Sequence, residues 1–287
     1  MTAVASPRVV EPPAPRTRPW RRAARPRSLT PVSTLGLGVA LIWFSLLVLI
    51  PLAAVVAASA AEGWSGIWTV LQNDMTASAL RLTVGTALLT TALNIVMGTV
   101  IAWVLVRDRF WGRGVLNVLI DVPFALPTVV AGLVLLSLYG PQSPIGIDVA
   151  NTRIAVFLAL AFVTLPFVVR TVQPVLEELD ADVEEAAASL GAGRFTTLRR
   201  VILPSLVPAI AAGAALAFAR AIAEYGSLVL LSGSLPFKTQ VASVRVLAYL
   251  EGGNRAGAAT VAAILLVVAL VVIVLLDIIQ RRVARRG

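Results

Sequence analysis

Residues 177–204 read EELDADVEEAAASLGAGRFTTLRRVILP, a polar segment bracketed by the uncharged runs 154–169 and 201–219. Its first half carries six carboxylates, Glu177, Glu178, Asp180, Asp182, Glu184 and Glu185. Asp180 and Asp182 suit the start of a short helix, where their charge meets the positive end of the helix dipole. Ala186, Ala187, Ala188, Ser189 and Leu190 continue that helix, and Gly191 is placed to stop it. Beyond Gly193, residues 194–200 suit a second short turn leading to Pro204, at the start of the next apolar helix. The segment predicts a helical hairpin beneath a membrane, and the chain around it must supply the spans.

Composition agrees. Of 287 residues 58% are apolar and 14% charged, whereas a soluble globule is about half apolar and about a quarter charged. The uncharged stretches are 28–61, 82–106, 122–147, 154–169, 201–219 and 256–276. A helix needs about 20 such residues to cross ~30 Å of hydrocarbon. The reading is an all-α integral membrane protein with six transmembrane helices, at 37–61, 83–106, 115–138, 154–172, 202–223 and 258–279. The apolar run of the first is too long for a signal-peptide core, so it reads as an uncleaved span.

Arginine placement orients the helices. Cytoplasmic loops near membrane ends are enriched in Lys and Arg. With both termini inside, 18 cations fall on inner segments and five, Arg81, Arg153, Lys238, Arg245 and Arg255, on outer ones. Arg220 lies within the fifth helix, and removing the fourth helix would put the four-Arg C-terminal tail outside. The domain reading is a disordered cytoplasmic Arg/Pro-rich tail at 1–34, a transmembrane domain at 35–280 with its cytoplasmic loop at 173–204, and a basic tail at 281–287. Between the fifth and sixth helices, 225–237 is too short to span and reads as interfacial or re-entrant. Residues 239–250 place Val241, Val244, Leu247 and Leu250 on one face of an outer lateral helix.

Several function classes are excluded. The chain has no Cys and no His, which removes thiolate chemistry, Ser-His-Asp triads and HExxH zinc sites. Its one lysine, Lys238, follows Leu235-Pro236-Phe237 instead of the Gly-rich run a P-loop needs. The charges sit between apolar runs, not in a stripe, which argues against nucleic acid. An intramembrane aspartyl enzyme needs two facing carboxylates, and Asp121 and Asp277 fall at separate cytoplasmic helix ends. A self-contained secondary transporter would be expected to carry an internal repeat or an ion-coupling carboxylate cluster, and neither is evident.

Glu185-Ala186-Ala187, Gly191 four positions on, and Val201-Ile202-Leu203-Pro204 after nine more residues resemble the EAA motif of ABC importer permeases, with Val201 the one conservative departure. The runs DVPFALPTVVAGL at 121–133, LPFVVRTVQPVLEEL at 165–179 and ARAIAEYGS at 219–227 are similar to the T-type permease subunit of sulfate/thiosulfate importers, a family related to molybdate permeases. Ala223 stands where relatives usually carry Gly. The resemblance implies a type I ABC importer permease architecture with a cytoplasmic coupling helix, in a bacterial plasma (inner) membrane. The ATPase-coupling residues it marks are Glu184, Glu185, Ala186, Ala187, Leu190, Gly191, Arg194, Leu203 and Pro204. It implies a non-catalytic subunit that binds no cofactor itself, ATP and Mg being used by a partner ATPase dimer. The other implied partners are a W-type sister permease and an extracytoplasmic sulfate-binding protein. Molybdate, tungstate or another oxyanion is the alternative cargo.

Candidate pathway residues follow from position. Arg220 lies about 27 Å along its helix from Ile202, near the outer interface, and Glu224 follows at i+4 on the same face. An outer gate and a structural ion pair are equally open readings. Pro123 and Pro127 are expected to bend the third helix, with Thr128 beside the pathway. Asp121 is read as structural, satisfying backbone groups those prolines free.

Overall fold

A computed structural model describes residues 31–179, 185, 187 and 189–284. Residues 1–30, 180–184, 186, 188 and 285–287 lie outside these, Asp180, Asp182, Glu184 and Ala186 among them, and of the tail expected to be disordered at 1–34 residues 31–34 are helical. Among the described residues every regular element is helical. Two units are distinguished, residues 1–51 and 52–287. In the first, α1 (Pro31–Phe44) is followed by a π-helical turn at Ser45–Leu49, with Leu35, Ile42 and Trp43 exposed. Exposed apolar side chains suit lipid contact. The span Ser33–Ala60 is completed by α2 (Ile50–Ala60).

After α3 (Gly63–Gln72), the 34-residue α4 (Asp74–Arg107) is begun by Asn73, whose side chain accepts from Thr76 N. At 1.5 Å per residue α4 is about 51 Å long, enough to cross the hydrocarbon and project beyond it. In α3, Trp64 and Trp68 are exposed at i,i+4 spacing, the face of a helix lying in the interface. The remaining elements are α5 (Arg113–Ala125), α6 (Thr128–Tyr139), α7 (Arg153–Glu178), α8 (Arg194–Thr197), α9 (Leu203–Ile222), α10 (Gly226–Leu231), α11 (Ala242–Glu251) and α12 (Arg255–Ala284).

The core forms where α4, α7 and α9 meet, and small residues permit the approach. A Cβ on Gly98 of α4 would stand 2.8 Å from Val168 Cβ of α7, and one on Gly213 of α9 would stand 3.0 Å from Val168 Cα. Buried polar side chains add directional bonds. Asn94 Nδ2 donates to Thr164 Oγ1 at 2.8 Å, and Thr83 Oγ1 accepts from Ala242 N at 2.8 Å. Such bonds inside a bilayer contribute about 0.6–2 kcal/mol each.

Four further expectations require correction. The third span is not one helix: α5 and α6 are bent by 119° at Leu126-Pro127. Pro127 forces the residue before it out of the helical region, and Leu126 has φ −89° and ψ 134°. The turn at 194–200 is not separate from the fifth span, because helix is continuous over Arg194–Ile222. A π turn at Leu198–Ile202, closed by Leu203 N to Leu198 O, precedes Pro204. The proline ring would clash with the carbonyl four residues back, and the extra residue of a π turn relieves that clash. Ser45–Leu49 stands in the same relation to Pro51.

The charged boundaries also move. The fourth helix, expected to end at 172, runs on to Glu178 as α7, and Arg81, expected outside the second span, lies inside α4. The carboxylate of Asp121 does not satisfy backbone freed by prolines. A missing proline N–H leaves a carbonyl, and carbonyl and carboxylate are both acceptors. Asp121 is instead held by Arg170, as described below. Within segment 225–237, expected to be interfacial or re-entrant, Gly226, Ser227, Leu228 and Leu231 of α10 are buried while Tyr225, Leu230, Leu235 and Phe237 are exposed.

Candidate coupling and translocation site

At the coupling end, Glu185, Ala187 and Ser189 are helical, and Gly191 has φ +83°. Ala192 N donates to Ala187 O at 3.0 Å, the bond that closes a helix through a left-handed residue. Glycine adopts that conformation without the clash a Cβ brings. Leu190 is 90% exposed and Phe195 73%, which leaves two apolar side chains uncovered beside the stop. Glu185, Arg194 and Phe195 line a cavity of about 620 Å³ together with Trp103 and Ile202. The structure thus brings Glu185 and Arg194 to one cavity, and leaves Leu190 and Gly191 exposed next to Ala192 of its lining. Glu184 and Ala186 fall outside the described residues.

Leu203 and Pro204 are exposed. The residue that ties this hairpin to the spans is Ile202, 2% exposed and buried with Leu206 against Val172 and Leu176 of α7. Its alternation with Leu203 across the π turn sets which of the two faces inward.

A second connection was not anticipated. Arg170 of α7 donates Nε to Asp121 Oδ1 at 2.7 Å and NH2 to Asp121 Oδ2 at 2.6 Å. It also donates NH1 to Asn117 Oδ1 at 2.9 Å and to Gln173 Oε1 at 2.7 Å, and NH2 to Asn117 O at 2.7 Å. All five N–H groups of the guanidinium are engaged. Gln173 Nε2 passes the chain on to Glu177 Oε1 at 2.9 Å, one turn from where the polar hairpin begins. The half-helix α5 is therefore fastened to the helix that feeds the coupling loop.

At the opposite end Glu224 is fully buried. Arg220 NH2 approaches its Oε2 to 2.8 Å, an ion pair by distance that lacks hydrogen-bond alignment, while Oε1 accepts from Ser227 N at 3.0 Å and Ser227 Oγ at 2.9 Å. Ser243 Oγ donates to Glu224 O at 2.7 Å. Glu224 thus starts α10 and links it to both neighbours. A Cβ on Gly226 would strike Thr128 Oγ1, and one on Gly132 would lie 2.7 Å from Ser227 O. So Thr128 lies against Gly226, two residues on from Glu224, through the packing of α10 on α6. Pro127 is exposed at the bend and Pro123 is buried in α5, where Phe124 meets Phe167 edge-on at 4.9 Å between centroids. Among the described residues neither proline shares a hydrogen bond, ion pair or ring contact with the Arg220–Glu224 pair.

Residues 94–286 match the family of binding-protein-dependent transport system inner membrane components. The sulfate transport system permease protein CysT of Salmonella typhimurium is 39% identical over 271 residues, covering 92% of this chain and 98% of that protein. The chain belongs to the CysT family of binding-protein-dependent permeases. The corresponding protein of Synechocystis sp. is 45% identical over 220 residues, covering 74% of this permease and 77% of its relative.

Solved structures agree on the fold. A chain of a bacterial alginate ABC transporter, in complex with an alginate pentasaccharide-bound periplasmic protein, superposes with a TM-score of 0.72 at 19% identity, over 88% of this permease and 94% of that chain. A chain of the MetNI methionine ABC transporter in inward-facing conformations gives 0.57 at 16% identity, over 73% and 96%. At these identities the likeness bears on architecture alone. This permease is a multi-pass membrane protein with the type I ABC permease fold, and the matched segment takes in the coupling loop, the bent α5–α6 pair and the Arg220–Glu224 pair.

Proposed function

We propose that this permease forms half of the membrane pore of an ATP-driven importer for sulfate and thiosulfate. The observation that carries the reading is the helix stop at Gly191 with Leu190 and Phe195 exposed beside it, set on a chain related over nearly its whole length to a sulfate transport permease. The hairpin faces the cytoplasm together with both termini, and Leu190 and Phe195 dock into an ATPase subunit. A dimer of that subunit binds ATP and Mg; this chain performs no catalysis. A W-type sister permease completes the pore, and an extracytoplasmic binding protein delivers and largely selects the anion. Closure of the ATPase dimer draws the hairpin with it. Ile202 carries the motion into α9, and Arg170 carries it into α5 and the bend at Pro127. Pro123, Pro127, Thr128, Arg220 and Glu224 border the path of the anion.

The energetics require such a motor. Bringing a dianion in against 100 mV, inside negative, costs about 4.6 kcal/mol, at about 2.3 per charge. Tenfold accumulation adds about 1.4 kcal/mol. The test is uptake of radiolabelled sulfate by cells lacking this chain and complemented with it, with thiosulfate and molybdate as competitors. Uptake should return with the wild-type chain and be lost with Gly191→Asp or Glu185→Lys, while both variants stay at normal levels in the membrane fraction. Unchanged uptake with either variant, or competition by molybdate alone, overturns the reading.

A further inference from the structure

The end of the molecule opposite the coupling hairpin holds a second concentration of charge. Arg81, seven residues into α4, and Arg153, the first residue of α7, line one cavity of about 610 Å³ with Asp74, Ser78, Gly85, Thr86 and Phe237. Among the described residues neither guanidinium has a carboxylate within 4.0 Å, although Asp74 shares the cavity. Arg81 makes no hydrogen bond to another described residue. Arg153 spends Nε on Lys238 O at 3.2 Å and NH2 on Phe237 O at 3.5 Å, which leaves NH1 without a protein acceptor.

The wall of the cavity is held in an unfavourable conformation. Phe237 has φ +62° and Ser234, three residues before it, φ +50°, a region that non-glycine residues rarely adopt. The turn aims the Phe237 carbonyl at Arg153 and at Ser78 Oγ, which lies 3.5 Å away. On the floor, a Cβ at Gly85 would meet nothing within 4 Å, so the absence of a side chain there leaves the space open. Depth is set by charge spacing. From Arg107 to Arg81 is about 39 Å along the helix, so Arg81 sits at headgroup level when Arg107 sits at the other interface. Below the cavity Leu88, Leu89 and Ile154 are exposed.

We propose that the guanidiniums of Arg81 and Arg153 hold a tetrahedral oxyanion in this cavity; the hydroxyls of Thr86 and Ser78 donate instead to Leu82 O and Phe237 O. Two guanidiniums in one recess supply several N–H donors in the fork geometry that suits sulfate or phosphate oxygens. The oxyanion is either the free sulfate approaching the pore or the phosphate of an anionic lipid headgroup; only the first form rests on the sulfate reading above.

The test uses the full-length permease with its co-purifying subunits in nanodiscs and no binding protein. Equilibrium retention of radiolabelled sulfate is measured in zwitterionic lipid, and native mass spectrometry counts retained phosphatidylglycerol in discs that contain it. Arg81→Gln and Gly85→Leu should each weaken retention of one probe at least tenfold. Loss of sulfate identifies the free anion and loss of phosphatidylglycerol the headgroup. Gly85→Leu is the deciding variant, since it leaves every hydrogen bond in place and enters open space. Wild-type protein that retains neither probe, or variants that retain both at the wild-type level, would overturn the site. Cellular sulfate uptake is scored separately, so its failure would remove the transport reading while leaving the binding measurement to stand on its own.

Discussion

Two arginine–carboxylate pairs sit at opposite ends of the helical core and do different work. Arg170–Asp121 joins two helices, is partly open to solvent, and spends all five guanidinium donors on α5 and on its own turn. Arg220–Glu224 lies along one helix end, and its carboxylate has no exposure at all. The first pair is a fastening whose energy is spread over many bonds. The second is a local device: Glu224 ends one helix, starts the next, and leaves one oxygen with only a misaligned cation beside it. A buried charge with few partners is costly to disturb, while a multiply bonded exposed one degrades gradually.

That contrast can be broken experimentally. Glu224→Ala strands a guanidinium and the Ser227 N–H and hydroxyl, and the loss should be about 3–5 kcal/mol. Detergent-solubilised protein should melt well below wild type, and an unchanged melting temperature would show that the pair is not a structural centre. Gly132→Val drives a side chain into the Ser227 carbonyl at the α6–α10 contact, at a cost of about 1–3 kcal/mol; the same melting assay reads it. Arg170→Lys keeps the charge but forfeits the fork. With the pair partly exposed the loss should be only about 1 kcal/mol, visible as earlier proteolysis between α7 and α9. Ser227→Ala removes one of two donors to Glu224 Oε1 and should cost about 1 kcal/mol. If it equals Glu224→Ala, neither the backbone N–H nor the Arg220 guanidinium contributes.

Much of this was readable from residue order. The uncharged runs located the spans because burying a charge in hydrocarbon is costly, and the distribution of arginines between segments set an expected direction. Gly191 was legible as a helix stop, since little else tolerates a positive φ without strain. The Arg220–Glu224 pair followed from i,i+4 spacing. The Arg170–Asp121 pair could have been found: one residue begins the third span and the other ends the fourth, so an antiparallel arrangement sets them at the same depth. Counting Arg170 as a loop cation hid it. The break at Leu126-Pro127 was expected only as a bend, because proline at that position permits a kink or a full break and the packing of α10 decides between them.

Local chemistry along the chain was enough to determine that the protein crosses a membrane as helices, which loop carries the acidic hairpin, and where that hairpin stops. These are properties of residues near one another in sequence, governed by hydrogen-bond satisfaction in lipid and by backbone sterics. Tertiary structure alone decided that Ile202, not Leu203 or Pro204, anchors the hairpin, that Gly132 and Gly226 let α10 lie against α6, and that Arg81 and Arg153 open into one cavity. Residues 72 positions apart share a cavity only when close-packed helices bring them together, and that packing depends on side-chain volumes in three dimensions, which no spacing rule along the chain encodes.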